Sequence, residues 1–380
     1  MKSSARLHRS IHRNALIKRG PQWWKKPCSN IECTLHQLAP YIGKIKSSIA
    51  GDLVERYSKP GELVVDPFAG AGTIPLEAIV RGRRVFAADH NPYAEILCRA
   101  KLFPPQSLTM ALKQAELAIL ESRSVPAPDL RSVPPWVRAF FHPETLRDAL
   151  RFSTIARRSG NEFLMACFLG VLHHQRPGFL SYPSSHLVPY LRSRKYPRSQ
   201  FPEMYAYREL KPRLFSKITR TYRRYQAFPR GKAVVHHTDI ANLTFPRQID
   251  AVITSPPYMN ALDYIRDNRL RLWFIAPSPK KSVYADYTKK RQAFVDAITT
   301  LAAKIKNTLS VGGHCILVVG EGVQRDFRAH PAKVVVDIFD QVAPMLNLKD
   351  ILTDSIPDIR RSRHELSGVK TEHFLVFKRA

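Results

Sequence analysis

The segment Leu63-Val64-Val65-Asp66-Pro67-Phe68-Ala69-Gly70-Ala71-Gly72-Thr73 constrains the fold of this chain more than any other. Three apolar residues ahead of a turn predict a short buried strand. Pro67, Gly70 and Gly72 supply the turn, and Ile74 to Val80 reads as the helix that follows, stopped at Gly82. Arg84 to Asp89 is the next strand, and Asn91-Pro92 opens a second helix running to about Lys101. Strands alternating with helices in this way require a parallel sheet. The rhythm returns with strands at Ala233 to His237 and Ile249 to Thr254. A helix from about Gln292 to Leu309 ends at Gly312-Gly313. A strand from His314 to Val319, a helix near 331–343 and a strand from His373 to Lys378 complete the pattern. The expectation is one α/β domain with a mostly parallel sheet of about seven strands.

Between the two rhythmic halves lie residues 104–230, rich in Pro, Arg and aromatics, with helix-like pieces near 107–122, 144–158, 161–173 and 208–226. The expected division is a basic N-terminal arm (1–40), a first half of the α/β domain (41–103), a largely helical basic insertion (104–230) of a size that suits a small helical subdomain, and a second half (231–380). Apolar residues make up 44% of the chain, enough for a full core. Lys and Arg number 60 against 31 Asp and Glu, a net charge of +29 that points to a polyanion partner. Five cysteines do not make a disulfide scaffold in a chain of 380 residues and suit a reducing compartment. There is no apolar run of about 18 residues, so no membrane span is expected. Residues 1–26 carry eight Lys or Arg, no acid and no apolar core of signal-peptide type. They read as a flexible arm on a phosphate backbone, with an organelle transit peptide as the alternative. The expected location is cytoplasmic, at the nucleoid.

Glycines after a first strand let backbone approach a ligand closely, with the next helix N-terminus facing it. Asp89 ends the second strand 19 residues after Gly70, where a nucleoside-binding fold places an acid for two ribose hydroxyls. Its structural alternative is a helix N-cap. The third glycine of a dinucleotide fingerprint is missing, position 75 being Pro, which favours a nucleoside ligand without a pyrophosphate. The second motif, Thr254-Ser255-Pro256-Pro257-Tyr258, follows directly on a strand. Two prolines remove two backbone donors and leave a stiff row of acceptors beside an aromatic ring. Acceptors suit an amino group and an aromatic plane suits a stacked base.

Together, in this order, the two motifs resemble those of the S-adenosylmethionine-dependent DNA amino-methyltransferases. The resemblance covers roughly residues 41–103 and 231–380 and implies a Rossmann-like methyltransferase fold. It implies that Asp66, Phe68, Gly70, Gly72 and Thr73 line the S-adenosylmethionine pocket, with Asp89 on the ribose. It also implies that Asp239 meets the adenine amino group with Ile240 beside the ring. Ser255, Pro256, Pro257 and Tyr258 would form the catalytic loop, holding the target amine and stacking on a base flipped from duplex DNA. Ser before Pro-Pro-Tyr is seen in the family mostly with cytosine N4, and Asp or Asn mostly with adenine N6. The stretch from Tyr41 through Ile49 resembles the helical segment these enzymes place before the first strand, with no single residue of it assigned. The insertion precedes Asp239, a departure from the family's common orders that bears on the target base.

Residues 192–232 hold 13 Lys or Arg, two acids and eight interleaved aromatics, a pattern suited to phosphate contact and stacking. By position this is the candidate target-recognition region, with Arg192, Arg194, Lys195, Arg220, Arg223 and Arg224 on phosphates. Arg266 and Arg269, and with them Arg271, are further candidates beyond the catalytic loop, or members of a salt-bridged surface helix. Cys28, Cys33 and His36 lack a fourth ligand at a usual spacing, so no metal site is expected. The leading expectation is a site-specific DNA methyltransferase of a restriction-modification kind, acting on cytosine N4. The alternatives are adenine-N6 methylation, an RNA methyltransferase, and a catalytically dead nucleic-acid-binding protein on the same fold.

Overall fold

The computed structural model describes residues 16–26, 32–41, 43–172, 180–181, 197–225, 227–229, 232–257, 268–277, 287–321, 330–356 and 371–380. Eight strands are present: β1 Leu16–Arg19, β2 Leu63–Asp66, β3 Arg84–Asp89, β4 Ala233–His237, β5 Ile249–Thr254, β6 Leu309–Glu321, β7 Leu346–Ser355 and β8 Thr371–Arg379. They form one sheet in the order β1-β7-β8-β6-β5-β2-β3-β4. Every neighbouring pair is parallel except β8, which runs antiparallel to both β6 and β7. The order reverses at β2, flanked by β3 on one side and β5 on the other. This is a doubly wound, Rossmann-like α/β sheet, and its switch point is where such sheets bind ligands.

Ten longer α-helices flank it among the described residues: α1 Ser47–Tyr57, α2 Thr73–Val80, α3 Pro92–Leu102, α4 Leu108–Ser122, α5 Pro143–Arg158, α6 Glu162–Val171, α7 Leu210–Thr221, α8 Arg269–Ile275, α9 Tyr287–Thr308 and α10 Pro331–Val342, with a four-residue helix at Pro135–Arg138 besides. Strand side chains alternate between the sheet's faces. Val64, Ala251, Ile253, Ile316 and Val318 join one core with α1 to α8. Val65, Val252, Cys315 and Leu317 join a second with α9 and α10. The result is a three-layer domain whose loops at the C-terminal ends of the parallel strands are free to carry chemistry.

Three expectations change. The sheet has eight strands rather than about seven, because Leu16–Arg19 adds to the β7 edge. Residues 16–26 and 32–40 are therefore not a free arm. Trp24 is fully buried with its ring 4.7 Å from that of Phe374, and its indole N–H donates to Asp52 at 3.0 Å. Leu35 and Leu38 are buried too, so this stretch contributes core despite its charge. Residues 1–15 lie outside the described residues. Secondly, the helical insertion is no separate subdomain, since Phe152, Phe168, Leu214 and Ile218 share one continuous core with α3 and the sheet. Thirdly, the long helix ends at Thr308 and Gly312 falls inside β6 with φ of 78°, beside the register shift between β5 and β6. No helix of the described residues is long and apolar enough to cross a membrane.

Candidate functional site

The glycine turn is built by hydrogen bonds that close it against β3. The Ala69 N–H donates to the Ala88 carbonyl at 2.9 Å, and the Gly72 N–H to the Ala69 carbonyl at 2.7 Å. Gly70 and Gly72 stand at φ of 49° and 67°, the left-handed region open to glycine. A Cβ at Gly72 would meet the Cα of Cys98 on α3 at 2.9 Å, so this glycine also sets how closely α2 seats on α3.

Asp89 faces the turn. Its Oδ2 accepts the Gly70 N–H at 2.8 Å and its Oδ1 accepts the Asn91 N–H at 2.8 Å. Each carboxylate oxygen keeps a lone pair for an outside donor. The helix N-cap role expected as its alternative falls instead to Asn91, whose side chain accepts the Tyr93 N–H. Burial pushes the Asp89 carboxyl above its usual range, opposed by nearby His90.

Asp66 is 2% exposed at the end of β2. Its Oδ1 accepts the Thr254 hydroxyl at 2.6 Å and the Phe68 N–H at 3.3 Å. Thr254 ends β5, immediately before Ser255, so this bond ties the glycine turn to the second motif across the switch point. Pro256 is buried, and Ser255 and Pro257 are half-buried. Tyr258 lies outside the described residues.

Burial pushes the Asp66 carboxyl up to about 7, against the opposing bonds from Thr254 and Phe68. A carboxyl raised in the folded state holds its proton more tightly there than in the unfolded chain. Its stabilising contribution is present at low pH and is lost as pH rises from the usual carboxylate range through about 7. Asp66→Asn keeps the shape and the acceptor oxygen but cannot ionise. Its stability advantage over wild type is expected to grow between about pH 4 and pH 7 and then level off. Urea unfolding of both proteins across that range checks this, and a gap that does not change with pH would refute the buried-acid assignment.

The remaining predicted residues divide. Thr73, at the start of α2, is buried, and its hydroxyl has no hydrogen-bond partner among the described residues. Phe68 is half-buried against the α9–α10 core. Asp239 follows β4 as an exposed turn residue, its carboxylate accepting the Asn242 backbone N–H at 2.9 Å, which holds it below the usual range. Ile240 packs into the core with Phe86 and Phe245 rather than standing free beside the site.

Of the basic residues, Arg192, Arg194, Lys195 and Arg266 lie outside the described residues. Arg220 and Arg223 are exposed. Arg224 is committed to structure, its guanidinium Nε donating to the Glu32 carbonyl at 3.0 Å. Arg269 lies over the Trp136 ring at 4.0 Å. Arg271 is buried and donates to the Leu169 carbonyl at 3.2 Å. The interleaved aromatics are mostly core as well: Tyr205, Phe215, Tyr222, Tyr225 and Phe228 pack inward, and Tyr207 is exposed. The stacking platform read from the insertion is thus largely packing: Phe215 on α7 and Tyr222, Tyr225 and Phe228 beyond its end all lie against the shared core.

Two residues at the turn went unassigned in the sequence. The Tyr41 ring lies 3.4 Å from where a Gly70 Cβ would sit. Lys101 on α3 donates from its Nζ to the Ala71 carbonyl. A Tyr shortly before a helix and a Lys in an amphipathic one carry no signal that separates them from surface residues. Among the described residues no group of three or more His, Cys, Asp or Glu is arranged to hold a metal.

The donor set suits a nucleoside with an amino-acid tail. Two glycines open the turn to close approach, the Thr73 hydroxyl is buried and unpartnered among the described residues, and Asp89 has spare acceptor capacity beside the turn. No family model matches the chain, and no curated protein does. Solved structures similar to it include TrmN from Thermus thermophilus (12% identity, TM-score 0.37), an alignment covering 91% of this chain and 52% of that one. This chain thus spans about half the length of TrmN. The rRNA methyltransferase aviRa from Streptomyces viridochromogenes matches at 11% identity and TM-score 0.34, over 93% and 96% of the two chains. A TehB-like SAM-dependent methyltransferase from Corynebacterium glutamicum matches at 10% identity and TM-score 0.32, over 89% of each. Overlaps of this size leave the fold to be read from the strand order itself.

Proposed function

We propose that this chain is an S-adenosylmethionine-dependent methyltransferase acting on the exocyclic amine of a nucleic-acid base, with duplex DNA as substrate and cytosine N4 as target. The observation that carries this reading is the hydrogen bond from Thr254 to Asp66. It couples a glycine turn suited to a nucleoside to a Ser-Pro-Pro loop suited to an amine, at the switch point of one sheet. The net charge of +29 agrees with a polyanionic substrate.

In this reading Asp89 accepts the ribose hydroxyls, and the Gly70–Gly72 turn holds the amino-acid tail. Asp239 is the acceptor for the adenine amino group. S-adenosylmethionine, when bound, supplies a methyl group on an electrophilic sulfonium. The protein's own task is the acceptor, because a base amine delocalises its lone pair into the ring. The Ser255 hydroxyl and the Pro256 carbonyl accept the amine hydrogens and favour the pyramidal, nucleophilic form. Pro256 and Pro257 have no N–H to compete for those acceptors, and their fixed φ keeps the row aligned. The rest of the rate comes from holding amine and donor together. The base reaches the loop by leaving the duplex, and Tyr258 is assigned to stack on it.

Product analysis tests the reading. Purified protein is incubated with S-adenosylmethionine and mixed-sequence duplex DNA, and with RNA in parallel, and digested nucleosides are identified by mass spectrometry. N4-methylcytosine is the expected product. N6-methyladenine would keep the chemistry and correct the base, methylated RNA would move the substrate, and no product with either would favour a binding protein on this fold.

A further inference from the structure

Lys101 is a charge that the proposed chemistry does not use. It sits on α3 with 1% of its surface exposed, and its Nζ donates to the carbonyl of Ala71, the residue between the two left-handed glycines. A buried ammonium is costly unless it is paired or hydrogen-bonded, so its partner identifies what holds it there. No acid lies within ion-pair distance of it among the described residues, so the Ala71 carbonyl is its principal partner.

We propose that Lys101 is a positioning residue for the cofactor turn: its ammonium pins the Ala71 carbonyl and so holds the Gly70–Gly72 turn in the course that keeps the Gly70 N–H on Asp89, the carboxylate assigned to the ribose hydroxyls. This rests on the reading of that turn as the S-adenosylmethionine site. An ammonium-to-carbonyl bond is roughly twice as strong as a neutral one. Both glycines stand in a backbone region with little intrinsic preference for one conformation, so the turn depends on outside bonds to hold it. The pin therefore weakens when Lys101 loses its proton, and burial brings that event down to about 7.

The groups facing Lys101 are identifiable. Lys44 disfavours its charge, and Cys98, Cys33 and Glu32 favour it, all less strongly than burial acts. His36 feels the Lys101 charge, and Glu77 is paired with His36 at 2.5 Å. Asp66, near Cys98, titrates in the same range, so wild type alone cannot isolate Lys101. Comparing wild type with a variant at each pH cancels the Asp66 contribution.

The probe is S-adenosylhomocysteine, which lacks the sulfonium charge and is neutral overall. Its Kd is measured by calorimetry at pH 6, 7 and 8 for wild type, Lys101→Met and Lys101→Arg. A group with pKa about 7 goes from about ten-elevenths to about one-eleventh protonated between pH 6 and pH 8. Where the charged form binds about tenfold more tightly than the neutral one, the expected ratio of Lys101→Met to wild-type Kd is about ninefold at pH 6 and falls to about twofold at pH 8. Lys101→Arg, charged throughout, is expected to bind at pH 8 more tightly than wild type. A ratio independent of pH would make Lys101 a packing residue and overturn the proposal, as would equal Kd values at pH 6. If Lys101→Met does not fold, the comparison of wild type with Lys101→Arg decides. Failure of wild type to bind S-adenosylhomocysteine at any pH would instead overturn the cofactor reading, and the Lys101 role with it.

Discussion

Gly72→Ala is expected to destabilise the folded protein by about 3 kcal/mol and to remove measurable binding of S-adenosylhomocysteine. Two independent costs add. A side chain at φ of 67° enters the left-handed region, at about 1–2 kcal/mol. The new Cβ also meets the Cα of Cys98 at 2.9 Å, and backbone on a packed helix cannot yield as a flexible side chain would. Overpacking of that kind costs about 1–3 kcal/mol. Gly70 is the control. It shares the backbone strain at φ of 49°, but its Cβ would find only the Tyr41 ring at 3.4 Å. Gly70→Ala should therefore cost only the backbone share, about 1–2 kcal/mol. Denaturant unfolding of both variants separates the two. Equal losses would show that the α2–α3 contact carries no weight. The binding loss follows because relief of the clash must move α2, whose first turn carries Thr73, a residue of the proposed cofactor pocket.

That comparison also shows how much was legible beforehand. The turn, its two glycines and Asp89 could be read because they are local: spacing along the chain becomes spacing across β2 and β3 when a single helix joins them. The bond from Thr254 to Asp66 could not, since its partners are 188 residues apart and only the reversal of strand order makes β2 and β5 neighbours. β7 was missed for a local reason. A register shift between Leu348 and Asp350 breaks its alternation, so Leu346, Leu348 and Ile351 do not read as one face. β1 was hidden by Lys18 and Arg19, which an edge strand carries outward at no cost; Lys18 pairs there with Asp350 at 2.7 Å. The arginines misled in the opposite direction. Arg224, Arg269 and Arg271 cap carbonyls or lie on aromatic rings, because a long guanidinium stem packs as readily as it solvates. Composition counts basic residues and says nothing of which of them the fold turns inward.

The largest effect on turnover is expected at Ser255. Its neighbours leave little that could compensate for it. Thr254, one residue before, is locked by its hydroxyl to Asp66 at 2.6 Å, and the two prolines after it offer no N–H and a fixed φ. The loop cannot slide another side chain into the same place. In the proposed mechanism Ser255→Ala removes one of two acceptors for the amine, and it is expected to lower kcat about 100-fold, the scale seen when one preorganised hydrogen-bonding group is deleted from a reacting centre. Affinity for S-adenosylhomocysteine should stay within about twofold, since the proposed nucleoside contacts, Asp89 and the glycine turn it accepts from, are built on β2 and β3 without Ser255. Ser255→Asn restores an acceptor at the same position and should recover part of the lost rate, whereas a merely structural serine would be rescued no better by Asn than by Ala. Single-turnover kinetics with labelled cofactor separate the outcomes. An unchanged rate in Ser255→Ala would remove Ser255 from the chemistry, and a parallel loss of cofactor affinity would make it a residue of the nucleoside pocket. A selective loss of rate with partial recovery in Ser255→Asn leaves amine activation as the one role that accounts for both.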